Sequence, residues 1–313
     1  MKYSILIILT LLSQKSFSQK TNKIAFYNVE NLFDTINGPN IDEEYLPEAK
    51  KNWNSSKYYT KINHIRKVII ELKKPIIMGF CELENRLVLE DLISDKALKN
   101  YRIVHFDSKD ARGIDVGIIY NSCVLTEENS GILRFNLPHQ NEPTTRDILF
   151  ASFLYKKDKI HVLVNHWPSR RGGVEESKPK RMKAAQQAKK YIDSILNANS
   201  KAKIILMGDL NDSPDNNSVK LIGSTLHPMI KKESGSFGGT HQYKGQWDIL
   251  DHIFVSNGCF EGKKKIVKNS GKIHEFEFLM EVYKGNKQPY RTFVGSKYLG
   301  GYSDHLPVSV EIK

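Results

Sequence analysis

Short apolar runs recur along the chain from Lys23 to Lys313, and most of them end in a polar residue. Runs of about four to eight apolar and β-branched residues, bounded by turn-forming residues, are typical of buried strands. We therefore predict strands at Ile24–Val29, Ile76–Cys81, Tyr101–Phe106, Asp115–Tyr120, Ile148–Tyr155, His161–His166, Ile204–Gly208, His252–Ser256, Phe276–Met280 and Pro307–Ile312.

Helical periodicity is confined to two longer segments. Tyr59–Lys73 places three isoleucines and Leu72 on one face, and Pro179–Leu196 begins with a proline near its first turn, where a helix tolerates it. Many strands with few helices indicate an α/β protein in which two packed sheets are flanked by helices. Because no linker or change in composition interrupts the pattern, we predict one domain over residues 19–313.

The N-terminal residues form a separate pattern. Lys2 precedes an apolar run from Ile5 to Leu12, and Ser16 and Ser18 occupy the −3 and −1 positions of a cleavage site. This order predicts a signal peptide over residues 1–18, and hence a secreted or periplasmic protein. An N-terminal anchor is the alternative, but the apolar run is far shorter than the ~20 residues needed to span a bilayer. We therefore expect no stable membrane insertion.

Composition narrows the class of partner. The 313-residue chain has a formal net charge of +12, with 40% hydrophobic and 26% charged residues. This balance is typical of a soluble globular protein rather than a membrane or disordered one. The positive charge favours polyanionic partners such as nucleic acid, anionic lipid or phosphorylated small molecules, without choosing among them.

The three cysteines exclude two classes of site. Cys81, Cys123 and Cys259 are far apart in the sequence, which excludes CxxC metal or redox motifs and any disulfide-dense scaffold. Cys81 ends an apolar run and is predicted to be a buried thiol. The sequence does not decide whether Cys123 and Cys259 form a disulfide.

Polar, charged or imidazole side chains stand at the ends of nearly all the predicted strands. Because a buried sheet exposes its ends, we expect these side chains to converge on one rim. They are Asn28, Glu30, Glu82, His166, Asp209, Asn211, Asp251, His252, Asp304 and His305.

Six segments at these strand ends carry a family resemblance. They are FYNVEN (Phe26–Asn31), FCELEN (Phe80–Asn85), NHWPS (Asn165–Ser169), GDLND (Gly208–Asp212), LDHIFV (Leu250–Val255) and SDHLPV (Ser303–Val308). In this order they resemble the endonuclease/exonuclease/phosphatase superfamily, from the first strand to the last. The resemblance implies a four-layer α/β sandwich with two central mixed β-sheets flanked by helices, and a metal-dependent hydrolase of phosphoesters.

Such chemistry needs a hard cation, an oriented water and a proton donor. By the resemblance Glu82 is the main metal ligand, with Asn28 and Glu30 nearby and Asp304 beside the metal. Oxygen ligands suit Mg²⁺, so we predict Mg²⁺ as the cofactor, with Mn²⁺ able to substitute. Each carboxylate alone would also fit a solvated charge at the end of a strand.

Five residues are predicted to carry the catalysis. Asp209 and Asn211 are two apart, so their side chains point to one side of an extended backbone. By the resemblance Asp209 orients or deprotonates the attacking water, Asn211 holds the phosphate, and Asp251 fixes the imidazole of His305 and raises its pKa. His166 matches a phosphate-contacting position and could donate a proton to the leaving group. The other histidines are predicted to be structural.

Basic side chains are candidates for binding the substrate phosphate. Arg146 matches a family arginine that reaches a phosphate, and a guanidinium fork suits this task. Arg112, Ser169 and Arg170 are further candidates, although each would also fit a solvated surface position. The basic run at residues 261–272 fits either a solvated loop or a contact with a nucleic-acid backbone.

The resemblance and the charge together predict a secreted, Mg²⁺-dependent phosphodiesterase. The substrate is expected to be nucleic acid, DNA or RNA, and the protein a monomer. The alternative is a phosphatase or phosphodiesterase for lipid headgroups, as in sphingomyelinases, or for sugar or inositol phosphates. A non-catalytic nucleic-acid-binding member would lack one of Glu82, Asp209 and His305, and all three are present.

Overall fold

The computed structural model describes residues 21–140 and 145–313. The signal peptide predicted over residues 1–18 lies outside the described residues. The helices are α1 (Ser55–Glu71), α2 (Arg86–Ile93), α3 (Val174–Ala198) and α4 (Asn217–Gly223). None of the helices in the described residues is both long and apolar enough to span a membrane.

The strands are short and numerous. They are β1 (Asn22–Leu32), β2 (Ile77–Leu83), β3 (Tyr101–His105), β4 (Asp115–Asn121), β5 (Thr126–Leu133), β6 (Ile148–Tyr155), β7 (Asp158–His166), β8 (Lys203–Asp209), β9 (His227–Pro228), β10 (His241–Tyr243), β11 (Gln246–Asp248), β12 (Asp251–Val255), β13 (Lys272–Ile273), β14 (Met280–Tyr283), β15 (Asn286–Pro289), β16 (Phe293–Val294), β17 (Lys297–Tyr298) and β18 (Val308–Ile312).

Two six-stranded mixed sheets form the centre of the fold. The first has the order β13-β18-β1-β2-β4-β3 and the second has the order β5-β6-β7-β8-β12-β9. Each contains one parallel pair, β1 with β2 and β7 with β8, among antiparallel neighbours. Three two-stranded hairpins, β10–β11, β14–β15 and β16–β17, stand outside the two sheets.

The two sheets pack face to face. The main hydrophobic core joins Phe26 of the first sheet with Val164 and Met207 of the second. Gly79 in β2 lies where the sheets approach closely, because a Cβ there would be 2.8 Å from Met207 Sδ and 3.0 Å from Val164 Cγ2. A side chain at this position would overpack the core.

Helices cover the outer faces. The apolar face of α1 belongs to the core of the first sheet, whereas α3 packs a stripe that includes Ala185 and Ile192 against Leu163 and Leu206 of the second sheet. This arrangement of helix, sheet, sheet and helix layers confirms the predicted four-layer α/β sandwich.

Several local predictions were wrong. Helix α3 begins at Val174, so Pro179 lies inside it rather than near its first turn. The segment Phe276–Met280 is not a strand, since Glu277–Leu279 form a 3-10 turn and β14 begins only at Met280. Its apolar side chains instead stack, with the Phe276 and Phe278 ring centroids 5.3 Å apart. The mainly polar edge strand β5 gave no apolar alternation and was missed.

The cysteines are all free. Cys81 is buried, as predicted, within β2. Cys123 is exposed and Cys259 is buried, and in the described chain they form no disulfide. The pairing left open by the sequence is therefore not made.

Candidate active site

Strand ends from both sheets meet at one rim. His166 at the end of β7 lies opposite Asp209 at the end of β8. Asp251 begins the antiparallel strand β12 and also lies opposite Asp209. In the first sheet, the ends of the parallel strands β1 and β2 bring Asn28 next to Glu82. The register of two parallel pairs therefore gathers residues that are far apart in the sequence.

Several residues at the strand ends of this rim depart from the extended backbone conformation of a strand. Glu82 and Asn211 have left-handed φ values of 61° and 51°, and Glu30 and Asn31 have φ values of 50° and 53°. The pairing of β1 with β2 shifts register after Asn28. Non-glycine residues in this region cost free energy and cluster at functional sites, so the local strain marks this rim as a candidate site.

A cavity of about 600 Å³ opens at the rim. Ten of the predicted site residues line it, namely Glu82, Arg112, Arg146, His166, Ser169, Arg170, Asp209, Asn211, Asp304 and His305. Asn28, Glu30 and Asp251 are buried and lie behind this lining. The structure thus brings the predicted residues together, with three of them in supporting positions.

Glu82 and Asp209 share one buried amide. Asn28 Nδ2 donates to Asp209 Oδ2 at 3.0 Å and to Glu82 Oε1 at 3.3 Å. Asn28 Oδ1 accepts the backbone N–H of Glu30 at 2.9 Å. The amide nitrogen, not the oxygen, therefore faces the two carboxylates. Asn28 holds them side by side, although it was predicted among the metal ligands.

Asp209 lies between two imidazoles. Its Oδ2 is 3.8 Å from His166 Nε2 and 3.9 Å from His305 Nε2, and its Oδ1 accepts the backbone N–H of Asn211 at 2.9 Å. Burial raises the pKa of Asp209 to about 7, against the opposing effect of a charged His305. Asn211 Nδ2 donates to the carbonyl of Trp167 at 3.0 Å, which fixes its orientation at the cavity.

His305 and Asp251 form a buried pair. His305 Nδ1 is 2.7 Å from Asp251 Oδ2, and this leaves Nε2 directed towards Asp209 and the cavity. Burial disfavours the imidazolium, but the carboxylates of Asp251 and Asp209 outweigh burial and raise the pKa of His305 well above its ordinary value. The contact that the resemblance implied between Asp251 and His305 is present in the structure.

His166 stands in a different electrostatic setting. Burial lowers its pKa well below the ordinary value, and the neighbouring Arg146 and Arg112 lower it further. Within the described part of the chain, its Nδ1 has no hydrogen-bond partner. A neutral imidazole at this position is suited to contact a phosphate oxygen. Its nearest carboxylates, Glu82 and Asp209, are 3.8 Å from Nε2, whereas Asp251 is at hydrogen-bond distance from His305.

Glu30 and Asp304 are joined by a guanidinium that the sequence did not point to. Arg291 Nε donates to Glu30 Oε1 at 3.0 Å, and its Nη2 donates to Asp304 Oδ2 at 2.9 Å. The backbone N–H of Thr292 donates to Glu30 Oε2 at 2.6 Å, and Lys61 is buried beside Thr292. Burial raises the pKa of Glu30 to about 7. A cation at these two predicted metal ligands would compete with Arg291.

The residues at Glu82 and Asp209 fit a hard divalent cation. Two carboxylates stand together at a neutral amide, and burial and the neighbouring carboxylates disfavour the charged form of Asp209. Oxygen donors in such a cluster are those that Mg²⁺ and Mn²⁺ prefer. Among the described residues, Asp209 also groups with His166 and Cys81, and with Asp251 and His305, as potential ligand sets.

Three arginines face the cavity with partial anchoring. Arg146 donates to Asp110 Oδ2 at 2.9 Å and to the carbonyl of Trp167 at 3.0 Å, while its buried Nε has no partner in the described residues. Arg170 Nε donates to the carbonyl of Asn211 at 2.8 Å. Arg112 is about half exposed, with its Nε 3.8 Å from Asp110 Oδ1. Three positive charges line the cavity, which favours an anionic ligand there.

The basic run at residues 261–272 lies at the opposite edge of the sandwich. Ile266 pairs with Ile312, and Ile312 pairs with Asn22 at the start of β1, whereas the cavity lies at the end of β1. The backbone N–H of Lys264 donates to Asp158 at the start of β7. The run therefore does not flank the cavity, and its position fits the solvated-loop alternative.

The hairpin β10–β11 forms a wall of the cavity that sequence reasoning missed. The hairpin contributes His241, Tyr243, Gln246, Trp247 and Asp248 to the cavity lining. The His241 ring centroid is 4.7 Å from that of His305, so this histidine, which was predicted to be structural, lies at the cavity. A Lys-Gly dipeptide between polar and aromatic residues is a weak hairpin signal that could have located this wall.

Comparisons with known proteins agree with this geometry. The family model described as "Endonuclease/Exonuclease/phosphatase family" matches residues 23–313. Comparison with curated proteins gives no match. The members of this superfamily are phosphoesterase hydrolases.

Solved structures share the fold at low sequence identity. A mannosyl-6-phosphatase from Bacteroides thetaiotaomicron has a TM-score of 0.62 at 16% identity, covering 93% of this chain and 99% of that one. The human Nocturnin catalytic domain has a TM-score of 0.59 at 15% identity, covering 94% of each chain. D. rerio TDP2 complexed with a single strand DNA product has a TM-score of 0.59 at 15% identity, covering 94% and 100%.

The family model extends over nearly the whole chain. Five of the six segments that carry the resemblance line one cavity, and the sixth, Phe26–Asn31, has Asn28 and Glu30 buried behind it. The four-layer sandwich agrees with the solved structures. This chain is a member of the endonuclease/exonuclease/phosphatase family.

Proposed function

We propose that the protein is a secreted or periplasmic, monomeric phosphodiesterase that hydrolyses the backbone of DNA or RNA with a divalent metal, Mg²⁺ in the first place. One observation carries the proposal. The pair of carboxylates at Asn28, the Asp251–His305 pair and Arg146 all converge on one cavity. The family is divalent-metal dependent, which supports the same assignment.

Each group has a chemical task that follows from its position. Asp209, held by Asn28 and by the N–H of Asn211, can orient a water and accept its proton. His305 presents Nε2 to the cavity while Asp251 fixes its ring, which suits proton transfer or contact with a phosphate oxygen. Glu82, with Asp209, would hold the cation. When bound, the cation neutralises charge that develops on the phosphate.

Nucleic acid is favoured by charge. The net charge of +12 and the arginines at the cavity attract a polymer of phosphates. The D. rerio TDP2 structure holds a single strand DNA product on the same fold, which supports a DNA or RNA strand as a substrate for this architecture.

A sugar phosphate is the second candidate. The similar structure from Bacteroides thetaiotaomicron is a mannosyl-6-phosphatase, and the cavity of about 600 Å³ has Trp247 and Tyr243 in its wall. Such a cavity is large enough for a small ligand, and aromatic side chains commonly pack against one. A phosphatase or a lipid phosphodiesterase would use the same Asp209 and His305.

Separate assays on each class of substrate distinguish these candidates. The mature chain is assayed with Mg²⁺ in five separate reactions. Their substrates are plasmid DNA, RNA, sphingomyelin, mannose 6-phosphate and bis-p-nitrophenyl phosphate. We expect DNA or RNA to be turned over fastest, because only a polymer can use the charge beyond the cavity. Faster release of phosphate from mannose 6-phosphate would replace the nuclease assignment with the sugar phosphatase.

A further inference from the structure

Two hairpins near the cavity carry the same three residues at their turns. Tyr243 pairs with Gln246 across Lys244 and Gly245, and Tyr283 pairs with Asn286 across the equivalent Lys-Gly turn. In each turn both central residues have positive φ, 49° and 85° in the first and 48° and 79° in the second. These values define two-residue turns of type I′, which place the preceding tyrosine beside the tip.

Both tyrosines are exposed. Tyr243 is 66% exposed and Tyr283 is 55% exposed, and the neighbouring Val282 is 67% exposed. The ammonium group of Lys244 lies 5.3 Å from the ring of Tyr243, and that of Lys284 lies 5.5 Å from the ring of Tyr283. Each tip therefore offers an aromatic face next to a positive charge.

The two tips are connected to the active site. Tyr243 lines the cavity, and β10 of the first hairpin packs against β15 of the second. The second hairpin is therefore a direct neighbour of the hairpin that carries Tyr243 at the cavity. We call the four side chains Tyr243, Lys244, Tyr283 and Lys284 the paired tips.

Charge limits where a polyanion can lie on the second hairpin. Its side forms a separate pocket lined by Glu275, Glu277 and Glu281 together with Lys287. Carboxylates repel phosphates, so a nucleic acid is kept away from this side. The tip, with Lys284 and Tyr283, remains as the surface of matching charge.

We propose that the paired tips bind the stretch of single-stranded nucleic acid that leads out of the active site, with bases stacked on the tyrosines and phosphates next to the lysines. The proposal rests on the proposed function and adds the form of the polymer. Base stacking on aromatic side chains is available to unpaired bases, whereas a duplex buries its base faces and presents phosphates. An aromatic face beside a cation at both tips thus favours a single strand over a duplex.

The experiment measures binding in EDTA, which separates binding from metal-dependent cleavage. Fluorescence anisotropy of a labelled short oligothymidylate gives Kd for the parent chain and for Y243A/Y283A. We expect Kd to rise at least about tenfold in the alanine variant, since stacking of each base on an aromatic ring contributes substantially to affinity. Y243F/Y283F, which keeps both rings and loses only the hydroxyl groups, should bind like the parent. An unchanged circular dichroism spectrum of Y243A/Y283A shows that its loss of affinity is not a folding defect.

The lysines have a matched control at the far edge of the sandwich. K244S/K284S removes two charges from the tips, and K263S/K265S removes two exposed charges from the basic run that does not flank the cavity. We expect the slope of log affinity against log salt to become shallower by about 1.4 in the first variant, at about 0.7 per phosphate contact on a single strand. The control should keep the slope of the parent.

Three results would overturn the proposal. Y243A/Y283A could bind oligothymidylate as tightly as the parent, it could lose affinity for a duplex of equal length by the same factor, or it could lose only binding to phosphatidylserine vesicles. The first result removes the contact, the second removes stacking and the third assigns the tips to a membrane surface. A parent that binds the single strand through the tyrosines but cleaves neither DNA nor RNA would keep this proposal and overturn the proposed function instead.

Discussion

Two pairs of carboxylates stand at the same rim, and different side chains hold each pair together. Glu82 and Asp209 share the neutral amide of Asn28, whereas Glu30 and Asp304 share the guanidinium of Arg291. The second pair therefore has its cation within the protein. In the first pair, Asp209 has the imidazole of His305 3.9 Å away, whereas Glu82 is held by hydrogen bonds from Asn28 and Asn31. An external cation would therefore relieve the most charge repulsion at this pair.

The predicted metal ligands also differ from one another in their contacts. By the resemblance, Glu82 is the main metal ligand among the four candidates, and Asn28, Glu30 and Asp304 are expected near the metal. In the structure Glu82 and Asp304 both line the cavity. Asn28 donates to Glu82 and Asp209, and Glu30 and Asp304 both pair with Arg291. A shared rim therefore does not imply a shared role.

The largest expected effect comes from the same chemical change at the two glutamates. Glu82→Gln removes a charge that has no cation of its own in the protein, and turnover of bis-p-nitrophenyl phosphate should fall at least about 10³-fold. Glu30→Gln is the matched control, because its amide oxygen can still accept from Arg291 and its loss should be much smaller. Equal losses in steady-state turnover would show that the two carboxylate pairs are not different.

The second effect concerns the pair beside Asp209. His305→Ala should lower turnover roughly 10²-fold by removing the imidazole from the cavity. Asp251→Asn should act through His305, because Asp251 is fully buried and contacts the ring at 2.7 Å. The double variant should therefore be little worse than His305→Ala alone. Additive losses in this double-mutant cycle would give Asp251 a separate role.

The third effect is on stability rather than on turnover. Arg291→Met leaves Glu30 and Asp304 without their shared cation, and the free energy of unfolding should fall by about 2 kcal/mol, allowing for the partial exposure of Arg291. Urea denaturation measures this change. Turnover should fall less than in Glu82→Gln. A variant as stable as the parent, with turnover reduced as far as in Glu82→Gln, would move Arg291 from the supporting network into the active site.

Local pattern and resemblance predicted the central strands and the rim of polar residues. Apolar runs located the central strands, and the polar residues after them marked the rim that the structure brings together. Long-range contacts could not be predicted from the sequence. Arg291, for example, lies 261 residues from Glu30 and follows no motif. The position of the basic run depends on the pairing of Ile266 with Ile312, which charge alone does not reveal.

Local errors have equally physical causes. The polar residues of β5 form an edge strand because they pair with β6, not because of their own pattern. The hairpin β10–β11 has strands of three residues each, too short for any periodicity, yet it provides a wall of the cavity. Short elements of this kind are determined by tertiary packing rather than by local preference.

Metal removal tests the central claim most directly. The mature chain is treated with EDTA, assayed with bis-p-nitrophenyl phosphate, and assayed again after Mg²⁺ or Mn²⁺ is restored, with Glu82→Gln in parallel. We predict that turnover disappears with EDTA, returns with either metal in the parent, and does not return in Glu82→Gln. Full turnover by the parent in EDTA would contradict it.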